Sequence, residues 1–388
     1  MQRYARSVAK SYLFTPGPTP VPPEVLAAVG APVVHHRSPD FLPVYERVLT
    51  RLRDVCRTER DVLLFGSSGT GAFESAVANL ISPGEPHLVV SAGAFGERWE
   101  AMTRAFGAEV DVLRYAWGET PDADDLRSRL GEREAKAVWL VQSETSTGVV
   151  ADVRALAAAA KDAGALVVVD AVSSLGAIPC ETDAWDLDVV VAGSQKALMC
   201  PPGLGLAAVS QAALGATGSA PRFYFDWERT RVAQQTLDAP VTLPVSLVCG
   251  LDVALGLIAE EGLDAVFDRH VRLGRAARAG AKAMGLELFS PDEDRSAVVT
   301  AVRTPEGCDA TELVLGLRDR FGITIANGHG ALKGKVFRLG HIGWFDVFDV
   351  TTQLAAVELV LSELGAGIER GVAITAALDA YEHSTTPA

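Results

Sequence analysis

The sequence predicts an α/β protein with a mostly parallel sheet in a large domain, followed by a smaller C-terminal α+β domain. Three observations carry this expectation. Short β-branched runs alternate with alanine- and charge-rich segments of helical length, the pattern of a strand–helix repeat. Several of the runs are apolar at consecutive positions, as strands covered on both faces must be. Beyond about Leu263 the texture changes to one long amphipathic helix followed by mixed strands and helices. The expected boundaries are an N-terminal arm at 1–20, the large domain at 21–262 and the small domain at 263–388.

Taken in order, the strands of the large domain are read at Asp61–Phe65, His87–Ser91, Glu109–Leu113, Ala137–Val141, Leu166–Asp170, Val189–Ala192 and Leu204–Val209. Each is a short run rich in Val, Leu and Ile-like residues. Helices such as Ala72–Leu80 and Val153–Asp162 are expected to cover the sheet, and the Ala157–Ala160 run within the second reflects helix propensity rather than a repeat. In the small domain, Leu263–Met284 reads as the long helix, Ala297–Val302 and Lys335–Leu339 as strands, and Asp309–Phe321 and Val350–Leu364 as helices. The polar end Glu382–Ala388 reads as frayed. In a sheet of this kind, ligands belong at the carboxyl ends of the strands.

Composition narrows the partners. The chain has 388 residues, 48% of them hydrophobic, enough to bury a sizeable core. A formal net charge of -14 repels nucleic acid and anionic lipid at long range, so neither is an expected partner. The five cysteines, Cys56, Cys180, Cys200, Cys249 and Cys308, form no C-x-x-C pair, which suits reduced thiols and a cytoplasmic location. Met1 to Phe14 lacks the apolar centre of an export signal, and no run of about 18 apolar residues suggests a membrane span. No metal-ligand spacing, H-e-x-x-H or G-x-S-x-G pattern is present, so no metal is expected and a hydrolase is disfavoured. The His35-His36-Arg37-Ser38 loop reads as solvated or structural, with substrate selection the alternative.

Three clusters carry chemistry. Lys196 lies at the exit of the Val189–Ala192 strand and Asp170 at the end of Leu166–Asp170. A lysine there can form a Schiff base with an aldehyde cofactor, while a buried carboxylate can pair with a protonated pyridine nitrogen. A free lysine amine, with a reference pKa of about 10.4, needs desolvation or a nearby positive charge to become a nucleophile. That pair points to pyridoxal 5'-phosphate. The second cluster, Phe65-Gly66-Ser67-Ser68-Gly69-Thr70-Gly71-Ala72, follows a strand and opens a helix, where backbone N–H groups, the helix dipole and the hydroxyls of Ser68 and Thr70 favour a phosphate. It is neither G-x-G-x-x-G nor a P-loop, which disfavours a nucleotide. The third, Gln142 to Val149, ends the Ala137–Val141 strand and offers hydroxyl and carboxyl groups to the cofactor or substrate, or serves as a cap for the next helix.

Together these segments resemble the class V aminotransferases of fold type I, closest to the alanine-glyoxylate and serine-pyruvate aminotransferase group. The resemblance runs through Phe14-Thr15-Pro16-Gly17-Pro18-Thr19, Ser68-Gly69-Thr70-Gly71, Glu144-Thr145-Ser146-Thr147-Gly148, Val169-Asp170-Ala171-Val172-Ser173-Ser174-Leu175-Gly176 and Gly193-Ser194-Gln195-Lys196-Ala197-Leu198-Met199-Cys200-Pro201-Pro202-Gly203. It implies Lys196 as Schiff-base lysine and proton shuttle, Asp170 as the pyridinium partner, and Gln195 with Ser68, Gly69 and Thr70 around the phosphate. Phe95 stands where relatives commonly place a ring-stacking tryptophan, and Ser146 and Thr242 are further cofactor contacts, Thr242 reaching it from a neighbouring subunit. Arg338, in Gly334-Lys335-Val336-Phe337-Arg338-Leu339-Gly340, is the implied clamp on the substrate carboxylate, with Gly17 beside the substrate.

One position departs from the family pattern, because Ala239 stands where a phosphate-binding tyrosine is often found. The resemblance implies a homodimer and a ping-pong transfer of an amino group from alanine, serine or aspartate to glyoxylate or pyruvate. Ureidoglycine is a further donor. A desulfurase or lyase of the same fold is disfavoured because Gln195, not histidine, precedes the lysine. A non-catalytic binding or assembly protein is the reading from another class, and intact Lys196, Asp170 and Arg338 speak against it.

Overall fold

A computed structural model of the chain describes residues 10–294 and 296–383. The first nine residues of the expected arm and Ser384–Ala388 of the expected frayed end lie outside the described residues. Two compact units emerge: one runs from Val21 to Arg269, and the other joins the residues up to Pro20 with those from His270 onward. The division falls inside the Leu263–Ala283 helix rather than at its start. The segment before Val21 groups with the C-terminal residues because Tyr12–Leu13 pairs in parallel with Ile323–Thr324.

The unit from Val21 to Arg269 is built on a seven-stranded sheet. Its spatial order is Val62–Phe65, Gly205–Val209, Val189–Gly193, Leu166–Asp170, Ala137–Val141, Pro86–Ser91 and Glu109–Arg114. The last five run parallel. Gly205–Val209 runs antiparallel to both of its neighbours, so the sheet is mostly parallel with one reversed strand. The consecutive apolar runs are explained by burial from both sides: Leu64, Val90, Leu140, Val169 and Val190 enter one core, while Leu63, Val89, Trp139, Val168 and Val191 enter the other.

The second of these cores is built around aromatic rings. Phe73 stacks on Trp99 with centroids 4.0 Å apart and planes 12° from parallel, and Trp99 lies 4.9 Å from Trp139. Both indoles satisfy their N–H groups, Trp99 on the Leu140 carbonyl at 3.1 Å and Trp139 on His87 Nδ1 at 3.2 Å, as buried indoles must. At the sheet margin, the Gln234 side chain accepts from the Leu64 N–H at 2.9 Å and donates to the Val62 carbonyl at 3.0 Å. One amide thus satisfies one N–H and one carbonyl of the outermost strand.

Helix starts follow their caps. Asp152 accepts from the Ala155 amide at 3.0 Å ahead of Val153–Asp162, the bond expected of an N-cap carboxylate. The helix expected from Ala72 begins at Gly69, with Ser68 as its N-cap. Its apolar periodicity starts only at Ala72 because the first turn, Gly69-Thr70-Gly71, contributes little to the core pattern.

In the other unit, Val299–Arg303, Val336–Gly340 and Ala326–Asn327 form an antiparallel sheet with Val336–Gly340 at its centre. Helices Ala310–Phe321 and Val347–Glu363 pack with Phe337 and Leu339 of that central strand into one core. Asp346 opens the second helix with a reciprocal cap in which Asp349 accepts from the Asp346 amide. Among the described residues no helix is long and apolar enough to cross a membrane.

Candidate active site

Two adjacent parallel strands place the first pair of residues. Asp170 ends Leu166–Asp170, whose register sets it beside Val191 of Val189–Gly193, and Lys196 lies in the turn that leaves the second strand. This turn is held from several sides. The Ser194 amide donates to the Leu204 carbonyl at 2.9 Å, the Ser194 hydroxyl donates to the Pro201 carbonyl at 2.7 Å, and the Met199 amide donates to the Lys196 carbonyl at 3.0 Å. Lys196 is only 9% exposed and Asp170 3%.

Burial dominates the electrostatics of Asp170. It pushes the carboxyl up to about 7, and Glu144 adds to the rise, while the Val172 amide at 2.8 Å and the charges of Lys196 and Arg98 pull the other way. A buried carboxylate in this balance gains from a further cation beside it. A protonated pyridine nitrogen is such a cation.

The Ser68–Gly71 turn supplies an anion-favouring helix start close by. Ser68 Oγ accepts from the Gly71 amide at 3.4 Å. Small residues are required here by close approach: a Cβ on Gly69 would meet Val172 at 3.0 Å, and one on Gly193 would meet Gln195 Oε1 at 2.8 Å and the Gly69 backbone at 3.3 Å. Gln195 Oε1 is itself buried without a hydrogen-bond partner among the described residues. The backbone N–H groups of a glycine-lined helix start are what a phosphate-bearing ligand would complete, and the Gln195 amide turned end for end would offer it an N–H donor in place of that oxygen. The residues present therefore fit pyridoxal phosphate.

The Gln142–Val149 segment is tied to the next helix. Glu144, 3% exposed, accepts from the amides of Phe95 at 3.0 Å, Gly96 at 3.2 Å and Ser146 at 3.2 Å, and from the Ser146 hydroxyl at 2.5 Å. It serves as the cap that Gly93 cannot provide for Ala94–Ala105. Burial raises its carboxyl above the usual range, against the pull of these four donors. Ser146 spends its hydroxyl proton on Glu144 and accepts from the Ala94 amide at 3.1 Å. Ser146 itself is fully buried.

The family described as Aminotransferase class-V matches residues 11–341 of this sequence. The chain belongs to that family. Among relatives, a protein named soluble hydrogenase 42 kDa subunit from Anabaena cylindrica is 42% identical, with 92% of this chain and 94% of the relative covered. L-aspartate–glyoxylate aminotransferase from Paracoccus denitrificans is 36% identical, with 97% of each covered. Among solved structures, ureidoglycine-glyoxylate aminotransferase from Bacillus subtilis superposes with a TM-score of 0.91 at 31% identity, covering 97% of this chain and all of that one. The fold is that of the type I pyridoxal-phosphate aminotransferases.

Within this class V aminotransferase, the unit from Val21 to Arg269 brings Lys196, Asp170, Ser68, Gly69, Thr70, Gln195 and Phe95 to neighbouring strand ends and helix starts. Thr242 is exposed and lines, with His35, His36 and Pro244, an open cleft of about 550 Å³. Arg338 and Gly17 belong to the other unit. There Arg338 is 7% exposed, and its Nε and Nη2 donate to the Asn327 carbonyl at 3.0 and 2.9 Å. The Asn327 side chain is held by Thr311, Gly328 and Gly334. The Phe14 carbonyl accepts from the Gly340 amide at 3.2 Å, and a Cβ on Gly340 would strike Thr15 at 2.5 Å. The segment carrying Gly17 therefore runs beside the strand that carries Arg338.

Sequence reasoning about this aminotransferase missed Arg98. Its Nη1 donates to Thr70 Oγ1 at 3.2 Å and its guanidinium lies 4.7 Å from the Phe95 ring centroid. The available signal was spacing, since residues three apart on a helix share a face. Among the described residues no group of three or more His, Cys, Asp or Glu is placed to hold a metal ion.

Proposed function

We propose that this aminotransferase uses pyridoxal 5'-phosphate to move an amino group from a small L-amino acid, alanine, serine or aspartate, to a small 2-oxo acid such as glyoxylate or pyruvate in two half-reactions. The observation that carries the reading is Lys196 and Asp170 buried at the ends of adjacent parallel strands. The names of the Paracoccus and Bacillus proteins support glyoxylate as acceptor. When bound, the cofactor supplies an aldehyde that holds the amino group and a ring that accepts the electrons of the broken Cα–H bond.

Every other role falls to the chain. Lys196 Nζ anchors the aldehyde and then carries the donor's Cα proton as general base. The Asp170 carboxylate keeps the ring nitrogen protonated. Ser68, Gly69, Thr70 and Gln195 receive the phosphate, Phe95 lies against the ring, and Ser146 holds its supporting loop. Arg338 holds the substrate carboxylate through two parallel hydrogen bonds, fixing the direction of the Cα–H bond, with Gly17 alongside. A homodimer in which Thr242 reaches the phosphate of the partner's site completes the reading, and the five unpaired cysteines suit a cytoplasmic location.

The test is to add pyridoxal phosphate to purified protein, reduce with borohydride and map the adduct, then follow the cofactor's long-wavelength absorbance as L-serine, L-alanine, L-aspartate and L-cysteine are added separately. A pyridoxyl group on Lys196 and bleaching by one of the first three donors are expected. Undiminished turnover in Lys196→Ala would refute the mechanism.

A further inference from the structure

We infer that Arg98 is the cationic ligand of the cofactor's phosphate ester, so that charge at this position selects a phosphorylated over an unphosphorylated pyridoxal. The inference rests on the reading above that pyridoxal phosphate occupies this site. Arg98 lies one turn after Phe95 on the Ala94–Ala105 helix, and its side chain folds back along that face. Its planar face meets the Phe95 ring at 4.7 Å and its Nη1 reaches Thr70 Oγ1 at 3.2 Å. The guanidinium is therefore held at the first turn of the Gly69–Leu80 helix by two groups already facing the cofactor.

Although its charge is felt by Asp170, Arg98 makes no direct ion pair among the described residues. Of the two arginines on that helix, Arg104 pairs with Glu100 at 3.3 Å, whereas Arg98 has no carboxylate within 4.0 Å among the described residues. Its Nε and Nη2 make no hydrogen bond to any described residue. A half-buried guanidinium in that position gains from an anion. The phosphate has the matching need, since a phosphate monoester carries about −1.5 to −2 at neutral pH. The helix start offers roughly half a positive charge, and Ser67 to Gly71 contain no cation. The remaining Nε–H and Nη2–H of the guanidinium form one edge that can meet two phosphate oxygens at once, which an ammonium group cannot do in a fixed plane.

The experiment compares pyridoxal phosphate with pyridoxal on the full chain stripped of cofactor, in wild type, Arg98→Met and Arg98→Gln, following the quenching of protein fluorescence. Orthophosphate is added as a competitor. Expected is a loss of about 10- to 100-fold in affinity for pyridoxal phosphate in Arg98→Met, with pyridoxal changed by less than about 3-fold and orthophosphate no longer competing. Arg98→Gln should show the same split, and it decides the matter if Arg98→Met does not fold. Equal losses for both ligands would overturn the inference and make Arg98 a support for the Phe95 ring. Unchanged binding of both would also overturn it. Failure of wild type to form the borohydride-trapped Lys196 adduct would instead sink the functional reading.

Discussion

The Glu144 carboxylate accepts the Phe95 amide at 3.0 Å, although the two residues belong to different strand–helix connections. A helix that starts at glycine has no side chain of its own to satisfy its first amides. Here the missing acceptor comes from the next strand's loop, and Gly93 is small because a Cβ there would lie 2.5 Å from Glu144. The position of Phe95 thus depends on a carboxylate that holds its backbone amide from another connection.

Glu144→Ala should destabilise the protein by about 1–3 kcal/mol, the range for leaving buried donors unsatisfied, as measured by denaturant unfolding. Glu144→Gln keeps one acceptor oxygen and should lose less. Gly93→Ala should resemble Glu144→Ala in stability, because the added methyl displaces the same carboxylate.

Asp170→Asn should separate stability from activity. Burial raises the Asp170 carboxyl from 3.8 to about 7, so its contribution to cofactor-free stability is fully present below pH 3.8 and is lost as pH rises through about 7. At pH 8 the cofactor-free Asp170→Asn protein should be more stable than wild type, on the order of a few kcal/mol, and the advantage should vanish by pH 4. Turnover should fall by orders of magnitude. A thermal scan of both proteins across that pH range checks the sign.

Arg338→Gln should raise KM for donor and acceptor together by about 10- to 100-fold, since both carry the carboxylate that a charged hydrogen bond would hold. An amine lacking a carboxylate should react with wild type and variant alike. Asn327→Ala should produce a weaker version of the same change, because the carbonyl that orients the guanidinium loses its side-chain tethers. Steady-state kinetics with both substrates varied provides the check.

The places where sequence reading succeeded and failed have a physical logic. Ala137–Val141, Leu166–Asp170 and Val153–Asp162 occur with the bounds their composition suggests, because a strand buried on both faces and an amphipathic helix each leave a continuous local signature. The Gly69 helix start was not legible in apolar periodicity, since the glycines of its first turn carry no side chain to mark a face, although Gly69 itself is buried. Nor was the reversal of Gly205–Val209, because an apolar strand carries no mark of its direction. At the site, the strand-end positions of Lys196 and Asp170 followed from local pattern. The ties from Glu144 to Phe95 and from Arg98 to Thr70 span 49 and 28 residues, and nothing periodic in the chain announces them.

Gln234→Leu should cost about 2–4 kcal/mol in unfolding free energy, since both the Leu64 N–H and the Val62 carbonyl lose their partner. It should also promote self-association, read by light scattering on heating, by leaving an outer strand open to pair with another chain.

The parallel pairing of Tyr12–Leu13 with Ile323–Thr324 sets an order of events during synthesis. The unit from Val21 to Arg269 is one unbroken stretch, so a ribosome that has passed it has released everything that unit needs. The residues ahead of it must wait, because their strand partner emerges more than three hundred residues later, and long-range closures of this kind form slowly. A nascent chain stalled shortly after Arg269 has cleared the exit tunnel should resist protease from Val21 onward while its leading end is still cut, and that leading end should become protected only when residues beyond Thr324 are free.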